Sequence, residues 1–163
     1  MDGALWRFCL AVYGRPGVEA ACLRLQDRFG LDVPMILFCV WAGYKGPGPL
    51  TSDFLRRALV VVQRWGHEIT GPLRAARRKL KEEDLGAGEA RLELREAVIQ
   101  AERRSEEITL SLLESLAHQE SKDSPGMEAA HANLHAYCAS VGCAPDIMLE
   151  RDLDLVIRAG GLG

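Results

Sequence analysis

The sequence predicts an all-α protein, a single-domain helical bundle of about seven or eight helices. Three observations lead to this class. Apolar residues recur at three- and four-residue intervals, no strict two-residue alternation persists, and Gly or Pro separates the periodic segments. A chain of 163 residues, 48% hydrophobic and 26% charged, can build one globular core. We therefore expect one helical domain over residues 1–163.

The first three predicted helices are short and rich in apolar residues. The first ends near Gly14. Pro16 suits the first turn of the second helix, because the first N–H groups of a helix have no intrahelical partner, and Gly30 is the expected stop. Asp32 can cap a third helix, which is apolar on nearly every side over residues 35–41. A helix of this kind belongs in the middle of the bundle.

Glycine and proline divide the next part of the chain. Residues 43–49 contain three glycines and two prolines, which predicts a loop after the central helix. A fourth helix, capped by Thr51, Ser52 or Asp53, is expected to break at Gly71-Pro72. A short fifth helix then runs to about Lys81.

The longest periodic segment predicts a helix over residues 89–118. Its seam positions alternate four and three residues apart, as in a coiled coil, and the polar Ser105 interrupts the row of Leu94, Val98, Ala101, Ser105, Ile108 and Leu112. Two interpretations remain open, packing on the protein's own bundle or packing against a second copy as a dimer. Two further helices are predicted, one with Ser124 as its cap and Pro125 in its first turn that runs to about Val141, and one that Pro145 opens.

Charge is distributed unevenly along the chain, although the net charge is only −3. Residues 1–81 are basic, with 13 Lys and Arg against 6 Asp and Glu, whereas residues 82–163 are acidic, with 7 against 17. The two halves should attract each other. The fifth helix carries the densest basic cluster, which makes a candidate partner-binding face of Arg74, Arg77, Arg78, Lys79 and Lys81.

Two other interpretations of this basic face stay open. Acidic residues of the long helix could neutralise it within the fold, or it could be a solvated surface without a function. Nucleic acid is not the expected partner, because no aromatic residues alternate with the arginines and no RNA- or DNA-reading motif is present.

One group of side chains has the spacing of a metal site. His131, His135 and Cys138 lie at i, i+4 and i+7, on one face of the seventh helix. Imidazole and thiolate are ligands that zinc prefers. The chain has no paired CxxC motif and no HExxH motif, so an ordinary amphipathic helix with histidines facing solvent or a partner is the alternative.

The sequence assigns no catalytic residues and no cofactor. His67 and Glu68 are adjacent, and neighbouring residues on a helix point about 100° apart, so we do not expect them to act on one atom. No GxSxG, phosphate-loop or dinucleotide motif occurs. Several large rings could line a ligand pocket or pack in the core, namely Trp6, Phe38, Trp41, Tyr44 and Trp65.

The cellular location is predicted from what the sequence lacks. The longest apolar run, residues 33–44, is shorter than the roughly 20 residues that span a bilayer. The N-terminus has no basic start or cleavage site of a secretory signal. An odd number of cysteines without CxxC spacing favours reduced thiols, at Cys9, Cys22, Cys39, Cys138 and Cys143. We expect a cytoplasmic protein without a transmembrane segment.

Parts of the sequence resemble a known family. The resemblance is carried by Leu5-Trp6-Arg7-Phe8, by the run from Tyr13 to Asp27, by residues 37–41, by Trp65, and by Pro72-Leu73-Arg74 with the basic run to Lys81. Over about residues 4–81 the chain is similar to a small proteobacterial family of α-helical proteins of unknown function. The resemblance implies a bacterial, cytoplasmic origin and supplies no catalytic residues.

These observations favour a non-enzymatic helical interaction module that binds a protein partner or a second copy of itself. The alternative is a small-ligand or metal protein that uses the aromatic-rich first helices or the face of His131, His135 and Cys138.

Overall fold

The computed structural model describes residues 3–82, 86–120 and 122–162, and its regular structure within these ranges is entirely helical. The other residues of the predicted domain, Met1, Asp2, 83–85, Ser121 and Gly163, lie outside the described part. The helices are α1 Ala4–Tyr13, α2 Val18–Phe29, α3 Val33–Tyr44, α4 Ser52–Trp65, a π-helix Gly66–Thr70, α5 Gly71–Glu82, α6 Gly88–Ala117, α7 Met127–Ser140 and α8 Ile147–Gly160. The predicted all-α bundle is confirmed, including its long helix.

The most apolar helix, α3, occupies the centre of the bundle as predicted. Asp32 caps it, accepting a hydrogen bond at Oδ1 from the Met35 backbone N–H at 3.1 Å, and every residue from Met35 to Gly43 is buried. Its main neighbour is α7. The predicted stop of α2 is also confirmed, because Gly30 adopts a left-handed φ of +67°, which glycine allows without a steric penalty.

The predicted break at Gly71-Pro72 was wrong. The helical path continues from Ser52 to Glu82 through the π-helix, in which the Gly71 N–H donates to the Gly66 carbonyl five residues earlier. Pro72 has no N–H, and in an α-helix its ring would meet the carbonyl four residues before it. The wider π-turn accommodates the proline without ending the helix.

The seam predicted for α6 is divided between two environments. Leu94 is 55% exposed and Leu112 is 38% exposed, whereas Ser105 is buried. The fully buried residues of α6 all lie at or after Glu102, and its earlier half packs alongside α5. The long helix therefore packs on its own bundle with a face that shares Ser105, but not Leu94 or Leu112, with the predicted seam. Association with a second copy remains a prediction.

The helices differ widely in length and in apolar character. The most apolar, α3, has 12 residues, while the 30-residue α6 carries many charges. Within residues 3–82, 86–120 and 122–162, no helix combines the length and the apolar character needed to cross a membrane.

Candidate functional site

The basic helix α5 lies against the acidic helix α6, and two of its arginines are bound there. Arg74 donates from Nε to Glu102 Oε1 at 3.0 Å and from Nη2 to Glu106 Oε1 at 3.2 Å. Arg77 donates from Nε to Glu102 Oε2 at 2.5 Å. Glu102 is 8% exposed, so it is a nearly buried carboxylate held by two guanidinium groups.

The pKa values of the two glutamates in this cluster are shifted in opposite directions. Burial acts to raise the pKa of Glu102, but hydrogen bonds from Arg77 and Arg74 outweigh it and lower the pKa below its usual value. Burial raises the pKa of Glu106, and the charge of Arg74 only partly opposes this. Glu102 is therefore a fixed negative charge, while Glu106 is the carboxylate that protonates more easily.

The predicted partner-binding face is thus divided. Glu102 and Glu106 of α6 neutralise Arg74 and Arg77 within the fold, as one interpretation of the sequence anticipated, so these two arginines are not free for a partner. Arg78, Lys79 and Lys81 lie on the exposed side of α5. Of these three, Arg78 also borders a large cleft.

This cleft has a volume of about 920 Å³ and lies between α1, α2 and the start of α3 on one side and α5 and α6 on the other. Three of the arginines that border it have no ion pair with any described residue. They are Arg78, Arg95 and Arg103. We call it the arginine cleft. The Arg95 Nε atom is shielded from solvent and has no hydrogen-bond partner among the described residues. Arg103 lies over the Trp6 ring, 5.9 Å from its centroid.

The opposite wall of the arginine cleft is largely apolar. Leu10 of α1 and Leu23 of α2 line it and are 48% and 42% exposed, and Trp6 is half-buried beside them. Leaving two leucines so exposed in a concave surface forgoes part of the hydrophobic stabilisation that burial would give. The cleft therefore offers arginines without ion pairs to described residues on one wall, beside the already paired Glu102 and Glu106, and mostly apolar side chains, together with Glu19 and Asp32, on the other.

A buried polar network that the sequence did not predict reaches the cleft at one residue, Thr70. The Ser105 hydroxyl accepts a hydrogen bond from Trp65 Nε1 at 2.8 Å and lies 2.7 Å from the Thr70 hydroxyl. Thr70, in the π-helix, lines the cleft. Pro72 is the sequence feature that could have indicated this π-helix, an element that frequently occurs at functional sites.

The comparisons with known proteins place the chain in a family. Residues 4–113 match the model of the family described as "Protein of unknown function (DUF2390)". The chain belongs to this family. No curated protein and no solved structure matches it. The resemblance to a helical family of unknown function is confirmed. The family match continues beyond residue 81, where the resemblance ended, to residue 113.

The DUF2390 match also covers the arginine cleft. The residues that line the cleft run from Trp6 to Leu110, and the match runs from residue 4 to residue 113. Both walls of the cleft are therefore built from the part of the chain that matches the family. Helices α7 and α8 lie after the matched region.

The predicted metal face lies on α7, outside the DUF2390 match. His135 Nε2 is 2.9 Å from Glu150 Oε2, and His131 Nε2 is 3.8 Å from Asp154 Oδ1, so each imidazole faces a carboxylate of α8. Cys138 is buried, and its burial raises the thiol pKa to about 12. In the described part of the chain, no three His, Cys, Asp or Glu side chains are arranged to hold a metal ion. The metal prediction therefore gains no support from this arrangement.

The aromatic rings mostly serve the core. Phe38 and Trp41 are buried, with ring centroids 6.0 Å apart, and Phe38 stacks on Phe54 at 5.9 Å. Of the five rings considered from the sequence, Trp6 is the one that lines the arginine cleft. His67 and Glu68 are exposed on the π-helix, where Glu68 accepts a hydrogen bond from Arg64 at 3.2 Å.

Proposed function

We propose that this protein is a non-enzymatic helical interaction module that docks an acidic protein partner in the arginine cleft. The observation that carries the proposal is the set of three arginines bordering one cleft without an ion pair in the described chain. The chain has a net charge of −3, so carboxylates were available to neutralise them. A guanidinium group matches a carboxylate through two parallel hydrogen bonds, which makes acidic side chains the natural partners of this wall.

Charge reversal in the cleft tests the proposal. We expect the double variant Arg78→Glu, Arg103→Glu to retain roughly tenfold less partner than the wild type in quantitative pull-downs from the source cells. The matched control is Arg7→Glu, Arg28→Glu, which changes the net charge equally at exposed arginines outside the cleft. Retention by the wild type should also decrease with added salt, since salt screens exposed charges.

Two outcomes would contradict the proposal. Equal loss in both double variants would show that net charge, and not the cleft, governs retention. A small-molecule mass retained in native mass spectrometry, and lost when Arg78 and Arg103 are reversed, would favour the small-ligand hypothesis, for which a cleft of about 920 Å³ is also large enough.

A further inference from the structure

The two walls of the arginine cleft differ in chemistry, and this difference limits which kinds of partner can bind in it. One wall offers the guanidinium groups of Arg95 and Arg103 from α6, and the other offers the exposed leucines Leu10 and Leu23. A partner that satisfies both walls must carry carboxylates on one side and apolar side chains on the other. A uniformly acidic segment would leave the leucines in contact with charge, and a uniformly apolar one would leave the arginines without partners.

The spacing along α6 is that of a helix face. Arg95, Ile99 and Arg103 all line the cleft at four-residue intervals, so they form one row along the helix surface. The two arginines are about 12 Å apart along the axis at 1.5 Å per residue. A second helix lying alongside α6 repeats its side chains at the same interval, and can therefore place a carboxylate opposite each arginine and an apolar residue opposite Ile99.

The size of the cleft agrees with this spacing. A helix about 10 Å in diameter that filled 920 Å³ would be about 12 Å long, which corresponds to two turns. An extended segment gains most of its affinity from main-chain hydrogen bonds to a sheet edge, and the described part of this chain has no strand to provide one.

From these observations we infer that the occupant of the arginine cleft is an amphipathic acidic helix of a partner protein, with its carboxylates on Arg95 and Arg103 and its apolar face on Leu10 and Leu23. The inference rests on the proposed function and specifies the partner's chemistry.

Fluorescence anisotropy with three labelled peptides and the full-length protein tests the inference. The first is a designed amphipathic helix of about four turns, with Leu at a and d positions and Glu on the flanking face. The second has the same composition in scrambled order, and the third has every Glu replaced by Lys. We expect the first to bind at least tenfold more tightly than either of the others, and its helicity to increase on binding.

Variants on each wall locate the bound helix. Leu23→Glu and Arg103→Glu should each weaken binding of the first peptide by roughly tenfold, the one through the apolar wall and the other through the charged wall. The matched controls are Val60→Glu, an exposed apolar residue outside the cleft, and Arg28→Glu. Neither control should change the affinity by more than roughly twofold.

The outcomes separate this inference from the proposed function. If the scrambled peptide binds equally well and still depends on Arg103, the helix inference is overturned while docking of acidic segments stands. No binding of the first peptide at about 1 mM also overturns the inference. If the protein instead dimerises and Arg103→Glu abolishes the dimer, the occupant is a second copy.

Discussion

Ser105 joins three helical segments through one hydroxyl group. It is 3% exposed, and it connects α6 to the last residue of α4 through Trp65 and to the π-helix through Thr70. In the sequence Ser105 is the polar residue in an otherwise apolar row, which by itself indicates no structural role. In the fold it satisfies two polar groups that would cost free energy if they were buried without partners.

Ser105→Ala should lower the free energy of unfolding by about 1–3 kcal/mol, because the Trp65 indole N–H and the Thr70 hydroxyl both lose a partner. Urea denaturation followed by circular dichroism measures this. The control is Ser111→Ala on the same helix, where an exposed hydroxyl donates only to the Glu107 carbonyl, with an expected change within about 0.5 kcal/mol. Equal effects at the two serines would show that the network adds no stability.

Helix packing in this bundle depends on one close approach between α3 and α7. A Cβ atom at Gly43 would lie 2.4 Å from the Ala130 backbone nitrogen and 2.5 Å from its Cα, and the Gly43 carbonyl accepts a hydrogen bond from Gly126 at 2.8 Å. Glycine is therefore required at this position by tertiary packing. The sequence placed Gly43 at the start of a loop, and the structure places it inside α3.

Gly43→Ala should destabilise the protein by roughly 1–3 kcal/mol, because the added methyl group forces two backbones apart.

Gly66→Ala should instead stabilise the protein. Its φ and ψ of −59° and −41° are helical and nothing lies within 4 Å of the new Cβ, so alanine should add up to about 1 kcal/mol. Thermal unfolding of both variants measures these changes in stability. A stabilising effect of Gly43→Ala would show that α3 and α7 are not packed this closely.

At the scale of the whole molecule, ion pairs connect parts of the chain that are distant in sequence. Asp152 of α8 is 1% exposed and accepts hydrogen bonds from Arg24 of α2, at 2.9 Å from Nε and 2.7 Å from Nη2. The hydrogen bond from Arg24 lowers the Asp152 pKa below its ordinary 3.8, although burial opposes the shift. This pair joins the family-matched region to a helix outside it.

The lowered pKa makes part of the stability depend on pH. A carboxylate with a depressed pKa contributes stability that is fully present above its ordinary pKa and is lost as pH falls through the lowered value. Asp152→Asn should therefore be less stable than the wild type at pH 7, and the difference should narrow below about pH 3.8. Glu106 contributes with the opposite sign, because its pKa is raised and protonation relieves the cost of burying its charge.

Urea denaturation between about pH 3 and pH 7 measures this dependence. The control is Asp27→Asn, an exposed carboxylate on α2 that has no ion pair in the described part of the chain. It should leave the pH dependence of the wild type unchanged. A constant difference between Asp152→Asn and the wild type at all pH values would contradict the assigned role of Asp152.

The sequence by itself determined the fold class, the central position of α3 and most helix ends. These follow from properties carried within a few residues: helical periodicity, the cap at Asp32 and the left-handed turn at Gly30. Tertiary structure decided which face of α6 is buried, so that Ser105 is covered while Leu94 remains exposed. It also decided that Arg74 and Arg77 are neutralised while Arg78, Arg95 and Arg103 border the cleft without an ion pair in the described chain, because the partners of Arg74 and Arg77 lie 25 or more residues away along the chain. Periodicity shows that a helix has two faces, but only the packed neighbours determine what each face contacts.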